Sequence, residues 1–232
     1  MEKQKYTAIV LAAGSGKRMN SKVHKQYLII QDRPVLYYSL KAFEDSAVDE
    51  IVLVVGKGEE EFCRKEIVDK YGISKVKAIV EGGKERYHSV FEGLKQTSDA
   101  DYVLIHDGAR PFVNQEIIRR CMLEVPEYQA CVVGMPVKDT IKIADEEGYA
   151  KQTPDRKNVW MIQTPQTFSY ALIYEAYEEM LKTEDTAITD DAMVLERIKG
   201  KKSKLIEGSY RNIKITTPED LLIANVYLQH PE

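Results

Sequence analysis

The sequence predicts an α/β fold: a mostly parallel sheet with helices on both faces, plus one projecting β-hairpin. Three observations carry that expectation. Apolar runs of strand length alternate with longer stretches of helical spacing from Thr7 to Pro136. Runs such as Ile51-Val52-Leu53-Val54-Val55 are continuously apolar, as expected of parallel strands buried on both faces. The rhythm then breaks over 138–160, where polar and apolar residues alternate around a turn signal. At 232 residues and 44% hydrophobic composition the chain can bury one large core. Residues 1–232 therefore read as a single domain with 138–160 as a protruding hairpin.

The elements follow in order. Thr7-Ala8-Ile9-Val10-Leu11 reads as a buried strand that runs into a glycine loop. Residues 34–43 place Val35, Tyr38, Ser39 and Ala42 at helical spacing. The strand 51–55 precedes a charged helix expected over 59–71. Strand 76–80, helix 85–96, strand 102–106, helix 115–124 and strand 131–136 continue the alternation, which implies right-handed crossovers. Ligands on such sheets bind at the carboxyl ends of the strands. Thr140-Ile141-Lys142-Ile143 and residues 149–153 flank the turn signal Asp145-Glu146-Glu147-Gly148. So polar a hairpin has little surface for the main core, so it is expected to project as an arm or to pack on a partner chain. Leu172-Ile173-Ala176-Tyr177-Met180-Leu181 marks a helix, and another starts at Asp190 and stops at Gly200, with Thr189 a natural N-cap. The last opens at Thr217-Pro218-Glu219-Asp220: Thr217 as N-cap, Pro218 at the first position, Asp220 closing a capping box.

Charge and cysteine usage exclude several classes. Lys+Arg 33 against Asp+Glu 37 gives a formal charge of −4, which opposes bulk binding to nucleic acid or to an anionic membrane. The excess acid, as in Glu59-Glu60-Glu61 and Glu178-Glu179, is assigned to solvated helices. Cys63, Cys121 and Cys131 form no C-x-x-C pair, which argues against a zinc knuckle and a disulfide framework. Cys131, within Ala130-Cys131-Val132-Val133, reads as a small buried hydrophobe. No apolar stretch approaches ~18 residues, and a reducing cytoplasm is the expected compartment.

Three loops fall at strand ends. Ala12-Ala13-Gly14-Ser15-Gly16-Lys17-Arg18-Met19 follows the first strand, where glycines let backbone N–H groups approach phosphates. Its spacing is not that of a P-loop. Met19 also stands where a dinucleotide fingerprint needs a third glycine, which disfavours a nicotinamide dehydrogenase. By itself the loop fits a solvated basic turn as well as a triphosphate cradle. Gly82-Gly83-Lys84-Glu85-Arg86-Tyr87-His88-Ser89 is a second glycine loop opening a helix, with Arg86 and Ser89 on one helical face. His106-Asp107-Gly108-Ala109-Arg110-Pro111 puts a carboxylate at the end of a central strand. Asp107 could cap a turn there, but beside two glycine loops it is better placed to hold Mg²⁺ against phosphate oxygens. His106 reads as a packed, hydrogen-bonded histidine. No Ser/His/acid set is present, so the residues point to phosphate handling rather than acyl or redox chemistry.

Together these segments resemble the 2-C-methyl-D-erythritol 4-phosphate cytidylyltransferase (IspD) family of non-mevalonate isoprenoid synthesis. The matching pieces are 11–19, Lys25-Gln26-Tyr27, Gly82-Gly83-x-x-Arg86-x-x-Ser89-Val90 and 106–111. They continue through Val137-Lys138-Asp139-Thr140, Thr164-Pro165-Gln166, Thr189-Asp190-Asp191-Ala192 and Asn212-Ile213-Lys214-Ile215-Thr216. The resemblance implies a Rossmann-like nucleotidyltransferase fold, similar to glycosyltransferase-A folds, and a reaction of CTP with the sugar phosphate that releases pyrophosphate. It implies Arg18, Lys25, Arg156 and Lys214 as catalytic cations, Arg18 and Lys25 acting on the α-phosphate. Ala12, Ala13, Gly14, Ser15, Gly16 and Lys17 would wrap the triphosphate. Gly82, Gly83 and Ser89 would contact the cytidine, Gly108 would be a further cofactor-binding position, and Asp107 would position or ligate Mg²⁺ or another divalent cation. Thr140, Arg156, Thr164, Thr189 and Lys214 would hold the methylerythritol phosphate. The 138–160 arm would cross to a second subunit in a homodimer, so that Thr140 and Arg156 serve the neighbour's site. Two positions depart from the pattern: His24 stands where relatives commonly have Pro, and Lys84 where some are acidic. Ribitol-5-phosphate cytidylyltransferases share the chemistry but tend to read Ala-Val-Arg-Pro where this chain reads Gly108-Ala109-Arg110-Pro111.

Overall fold

The computed structural model describes residues 3–14, 24–183 and 187–230. Strand β1 (Tyr6–Ala12) is followed by a small hairpin, β2 (Ile29–Ile30) and β3 (Arg33–Pro34), and by helix α1 (Val35–Glu44). Then come β4 (Glu50–Val55), the short α2 (Glu60–Cys63), β5 (Val76–Glu81), α3 (Arg86–Leu94), β6 (Tyr102–Asp107), α4 (Gln115–Tyr128) and β7 (Ala130–Pro136). The second half holds β8 (Ile143–Ala144), β9 (Ala150–Gln152), β10 (Trp160–Ser169), α5 (Tyr170–Met180), α6 (Asp191–Lys199), β11 (Lys204–Glu207) and α7 (Pro218–Gln229).

Among the described residues the main sheet has seven strands in the order β11-β7-β10-β6-β1-β4-β5. Alternation of side chains decides which helix covers which face. Ala8, Val10, Ile51, Leu53 and Val55 point to one side, where Leu36, Leu40 and Phe43 of α1 and Ile117, Cys121 and Val125 of α4 pack on them. Ile9, Val52 and Val54 point to the other, under Val90 and Leu94 of α3 and Ile173, Tyr177, Val194 and Leu195 of α5 and α6. A strand buried on both faces must be apolar at every position, and 51–55 is. A satellite cluster of Ile30, Val35, Ile215 and Ala224 seats α7.

The expected strands and helices of the first half are present with one adjustment, and the second half adds another. The charged helix expected over 59–71 is split: α2 lasts one turn and widens into a π-turn over Arg64–Asp69, with Cys63, Ile67 and Val68 buried. Helix α6 is capped by Asp190, whose side chain accepts from the Met193 N–H at 2.9 Å, rather than by Thr189. It ends at Gly200 in the left-handed region (φ 60°), where a glycine carries no steric penalty. The capping box of Thr217 and Asp220 forms with Pro218 at the first helical turn.

Strand β10 is the main element that patterning misses. It runs antiparallel between β6 and β7, while the other pairings in the sheet are parallel. Its residues Gln163, Thr164, Gln166 and Thr167 are polar yet buried, and Pro165 argues against a central strand. A register shift between Ile162 and Gln166 accommodates the proline, because a bulge lifts its missing N–H out of the ladder. Strands β8 and β9 pair antiparallel in a sheet of their own and are exposed along their length.

Candidate functional site

A cleft of about 480 Å³ opens at the carboxyl ends of β1, β5 and β6. Ala12, Ala13 and Gly14 line it from the end of β1, and Lys25 and Gln26 from the short helical turn Lys25–Tyr27. Gly83, Arg86 and Ser89 enter from the start of α3, Asp107 from the end of β6, and Lys214 from the chain before α7. A second cleft of about 320 Å³ shares Arg86, Asp107 and Lys214 with the first, and adds Arg110, Thr164, Thr189 and Asp190. Among the described residues lining the larger cleft, four are cationic (Lys25, Lys84, Arg86, Lys214) and two acidic (Glu85, Asp107). An anion-seeking site thus sits in a chain of net charge −4.

Asp107 is the hub joining the two clefts. Its Oδ2 accepts from Lys214 Nζ at 2.7 Å, its Oδ1 lies 3.3 Å from Arg86 Nε, and Arg110 Nε stands 4.0 Å away. Burial pushes the Asp107 carboxyl up, but the charges of Arg86, Lys214 and Arg110 more than reverse this and hold it far below the usual carboxylate range. Arg86 bridges to Asp191 with two parallel bonds, 2.8 Å to Oδ1 and 2.9 Å to Oδ2. Burial lowers the Arg86 pKa, and the carboxylates of Asp191 and Asp107 raise it beyond its ordinary value, so the guanidinium stays charged. Asp191 is wholly buried and also accepts from the Tyr177 hydroxyl at 2.5 Å. Gln166 Oε1 accepts from the N–H groups of Asp191 and Ala192, each at 3.0 Å, which ties β10 to the start of α6.

His106 is a packed histidine, as its sequence context suggested. It is fully buried, 3.0 Å from Thr164 Oγ1 through Nδ1 and 3.2 Å from the Arg110 carbonyl through Nε2. The Arg110 carbonyl can only accept, so a neutral His106 carries its proton on Nε2, and Thr164 Oγ1, which accepts from the Asp107 N–H at 3.1 Å, donates its own hydrogen to Nδ1. Burial, only partly offset by the Asp107 charge, lowers the His106 pKa to about 4. An unfolded histidine takes its proton near pH ~6.5 and the folded one resists it, so stability is expected to fall as pH drops from about 6.5 towards 4, by on the order of 3 kcal/mol at full shift. Denaturant unfolding between those pH values checks this: His106→Gln should flatten the slope, and an equal slope in both proteins would refute it.

The structure gathers some of the expected residues and not others. Ala12, Ala13, Gly14, Lys25, Gly83, Ser89, Asp107 and Lys214 meet on the larger cleft, while Thr164 and Thr189 line the smaller. Gly82 is a close-approach position: a Cβ there would stand 2.6 Å from both Ala13 Cβ and Ser89 Oγ. Gly108 lines neither cleft. Its N–H donates to the Leu11 carbonyl at 2.8 Å, and a Cβ would strike Leu36, so its role is to let β1, β6 and α1 pack. Thr140 and Arg156 are exposed on the hairpin segment and line neither cleft; Arg156 donates to the Lys138 carbonyl at 2.9 Å. Ser15, Gly16, Lys17 and Arg18 lie outside the described residues. Gln166 and Asp191 lie in the matching motifs but carry no role in the site from sequence alone, since Asp190-Asp191 reads as a helix start, and Tyr177 reads as core. Arg86, the partner that explains Asp191, lies 105 positions away.

The donor set also bears on a divalent metal. Asp107 supplies one carboxylate, and among the described residues no cluster of three or more His, Cys, Asp or Glu groups is placed to share an ion. That suits Mg²⁺ held by one carboxylate and completed by substrate phosphates, and does not suit a metal caged by protein alone.

Comparison with known proteins agrees with this geometry. The family model described as IspD, 2-C-methyl-D-erythritol 4-phosphate cytidylyltransferase, matches residues 6–230. The chain is 51% identical over 226 residues to the protein of that name from Lachnoclostridium phytofermentans, covering 97% of each chain. It is 54% identical over 225 residues to the one from Lachnospira eligens, covering 96% of this chain and 99% of the other. The crystal structure of 4-diphosphocytidyl-2C-methyl-D-erythritol synthase from Anaerococcus prevotii superposes with a TM-score of 0.86 at 38% identity, covering 98% of this chain and 97% of that one. The Thermus thermophilus enzyme gives 0.78 at 29% identity, covering 95% and 98%. Fold, cleft and sequence converge on one conclusion: the chain belongs to the IspD family of 2-C-methyl-D-erythritol 4-phosphate cytidylyltransferases.

Proposed function

We propose that this chain transfers the cytidylyl group of CTP to 2-C-methyl-D-erythritol 4-phosphate, giving 4-diphosphocytidyl-2-C-methyl-D-erythritol and pyrophosphate. The observation that carries this reading is the convergence of Lys25, Arg86, Asp107 and Lys214 with two glycine loops on one cleft, in a chain matching the family from 6 to 230. A phosphate oxygen of the acceptor attacks the α-phosphorus of CTP, and the bond to the β-phosphate breaks. The attacking phosphate is already anionic near neutrality, so the residues need supply no general base. Their work is in-line positioning and charge neutralisation. Lys25 and Arg18 face the charge that develops on the α-phosphate, and the Ala12–Lys17 loop wraps the triphosphate. Gly82, Gly83 and Ser89 take the cytidine, while Thr164, Thr189 and Lys214 hold the sugar phosphate in the adjoining cleft. Mg²⁺ on Asp107, when bound, supplies neutralisation of phosphate charge.

Pyrophosphate release with CTP and each candidate sugar phosphate, with and without a chelator, tests the reading directly. Turnover is expected with methylerythritol phosphate and loss on chelation. Faster turnover with ribitol 5-phosphate would overturn the acceptor assignment. The enzyme is assigned to the cytoplasm; three free, buried cysteines support a reducing compartment. Among the described residues no helix is long and apolar enough to cross a membrane.

The hairpin 138–160 is assigned as the arm of a homodimer that carries Thr140 and Arg156 to the neighbour's site. Exposed Ile141, Ile143 and Tyr149 on the hairpin, with Met161 and Ile162 at its base, support an interface there. Mixing inactive Lys25→Ala and Arg156→Ala subunits is expected to restore about a quarter of wild-type activity, since half of randomly reassorted closed dimers carry one intact site. No recovery after verified subunit exchange would rule out a shared site.

A further inference from the structure

Glu59 does not point out with the acidic residues that follow it. From the turn between β4 and α2 its side chain folds back over the end of β4, leaving 19% exposed. Oε2 accepts from the Gly56 N–H at 3.0 Å and from the Tyr27 hydroxyl at 2.7 Å, and Oε1 lies 2.7 Å from His24 Nδ1. Gly56 makes the fold-back possible, because a Cβ there would stand 2.7 Å from Glu59 Oε2. The Tyr27 ring is further braced edge-on by Phe62, 5.1 Å away between centroids. His24 and Tyr27 bracket Lys25 and Gln26. From the opposite side Gln26, 1% exposed, donates to the Ala12 carbonyl at the end of β1. The turn that carries Lys25 is therefore fastened to the ends of two different core strands.

The geometry points to Glu59 as a positioning residue for the transfer reaction: its carboxylate latches His24 and Tyr27, and so sets where the Lys25 ammonium stands in the cleft. The inference rests on the transferase reading, and it gives His24 a task. At His24 the backbone is extended, with φ −61° and ψ 140°, immediately before a helical turn. An unrestrained residue there samples other angles, and each would swing Lys25. The latch holds one of them through the Tyr27 hydroxyl bond and the 2.7 Å approach of Glu59 Oε1 to His24 Nδ1 rather than by covalent constraint. Nucleotidyl transfer is sensitive to such placement, since a displacement of about 1 Å of a positioned group can cost ~10²-fold in rate.

The test compares Glu59→Gln, Gly56→Ala, His24→Ala and His24→Pro for kcat, for KM with CTP, and for amide exchange over residues 24–30. The first three are expected to lower kcat by about tenfold or more with KM for CTP within about twofold, and to speed exchange over 24–30. His24→Pro lacks the imidazole, but its ring locks φ near the −61° already present. It should keep kcat within about threefold of wild type, a rescue that a merely structural loss of His24 would not show. Unchanged kcat in Glu59→Gln and Gly56→Ala, or His24→Pro as slow as His24→Ala, would overturn the latch. Wild-type enzyme that turns over no CTP would instead refute the transferase reading. The exchange data judge the latch in that case too: unaltered protection in Glu59→Gln overturns it whatever the substrate.

Discussion

Replacing Lys25 by alanine is expected to lower kcat by about 10²–10³-fold while leaving CTP binding within roughly threefold of wild type. The argument is one of differential charge. On the proposed reading the ground-state triphosphate would be shared among the cations Lys25, Lys84, Arg86 and Lys214 that line the larger cleft, so the loss of one ammonium would be spread over the rest. At the pentacoordinate α-phosphate, negative charge concentrates on the non-bridging oxygens, and a cation already fixed opposite them stabilises that state without reorganisation. Lys25 has the pre-organisation this requires, since its turn is bound to Ala12 through Gln26 and to Glu59 through Tyr27. Steady-state pyrophosphate release and equilibrium titration with CTP separate the two quantities. A parallel loss of binding and turnover would make Lys25 a ground-state anchor, and unchanged turnover would remove it from the reaction.

Asp107→Asn is expected to damage both catalysis and stability. The carboxylate is 12% exposed and faces Lys214, Arg86 and Arg110. Neutralising it leaves three cations crowded at the cleft floor with only Asp191 to compensate Arg86. Removing one member of a buried ionic cluster costs roughly 3–5 kcal/mol, and loss of the group that pairs with Lys214, proposed above as the metal ligand, should reduce kcat by at least about 10²-fold. The pH dependence follows from the sign of the shift. The folded carboxyl lies far below its unfolded value, so its stabilisation is fully present above about pH 4 and fades as pH falls further. The stability gap between wild type and Asp107→Asn should therefore be constant from pH ~8 to ~5 and narrow below ~4. A gap that varies across the neutral range would show that Asp107 is not the charge responsible.

Much of this molecule was legible along the chain because burial leaves local marks. The continuously apolar run 51–55 reads as a strand covered on both faces, 102–106 falls in the same alternation, and Thr217-Pro218-Glu219-Asp220 carries its own helix start. The glycines at 82 and 83 and the carboxylate at 107 were placed at strand ends by the same periodicity, which is why the cleft falls where the loops do. Strand β10 was not legible: its buried face is polar, its hydrogen-bond partners come from β6 and β7, and its proline is tolerated through a bulge that depends on those neighbours. Glu59 was misjudged for a related reason. Three consecutive glutamates look alike in sequence, and only the bare Cα at Gly56 and the approach of His24 and Tyr27 draw the first one inward.

The sequence by itself determined the α/β class, the order of most core elements, the phosphate-handling chemistry and the family resemblance, because each rests on periodicity or on short contiguous motifs. Tertiary structure alone decided the charge pairing: that Arg86 spans Asp107 and Asp191, that Lys214 reaches Asp107, and that Glu59 braces the Lys25 turn. Those pairs join residues tens to more than a hundred positions apart. Coulomb energy depends on distance through space and on burial, neither of which is a property of neighbouring letters.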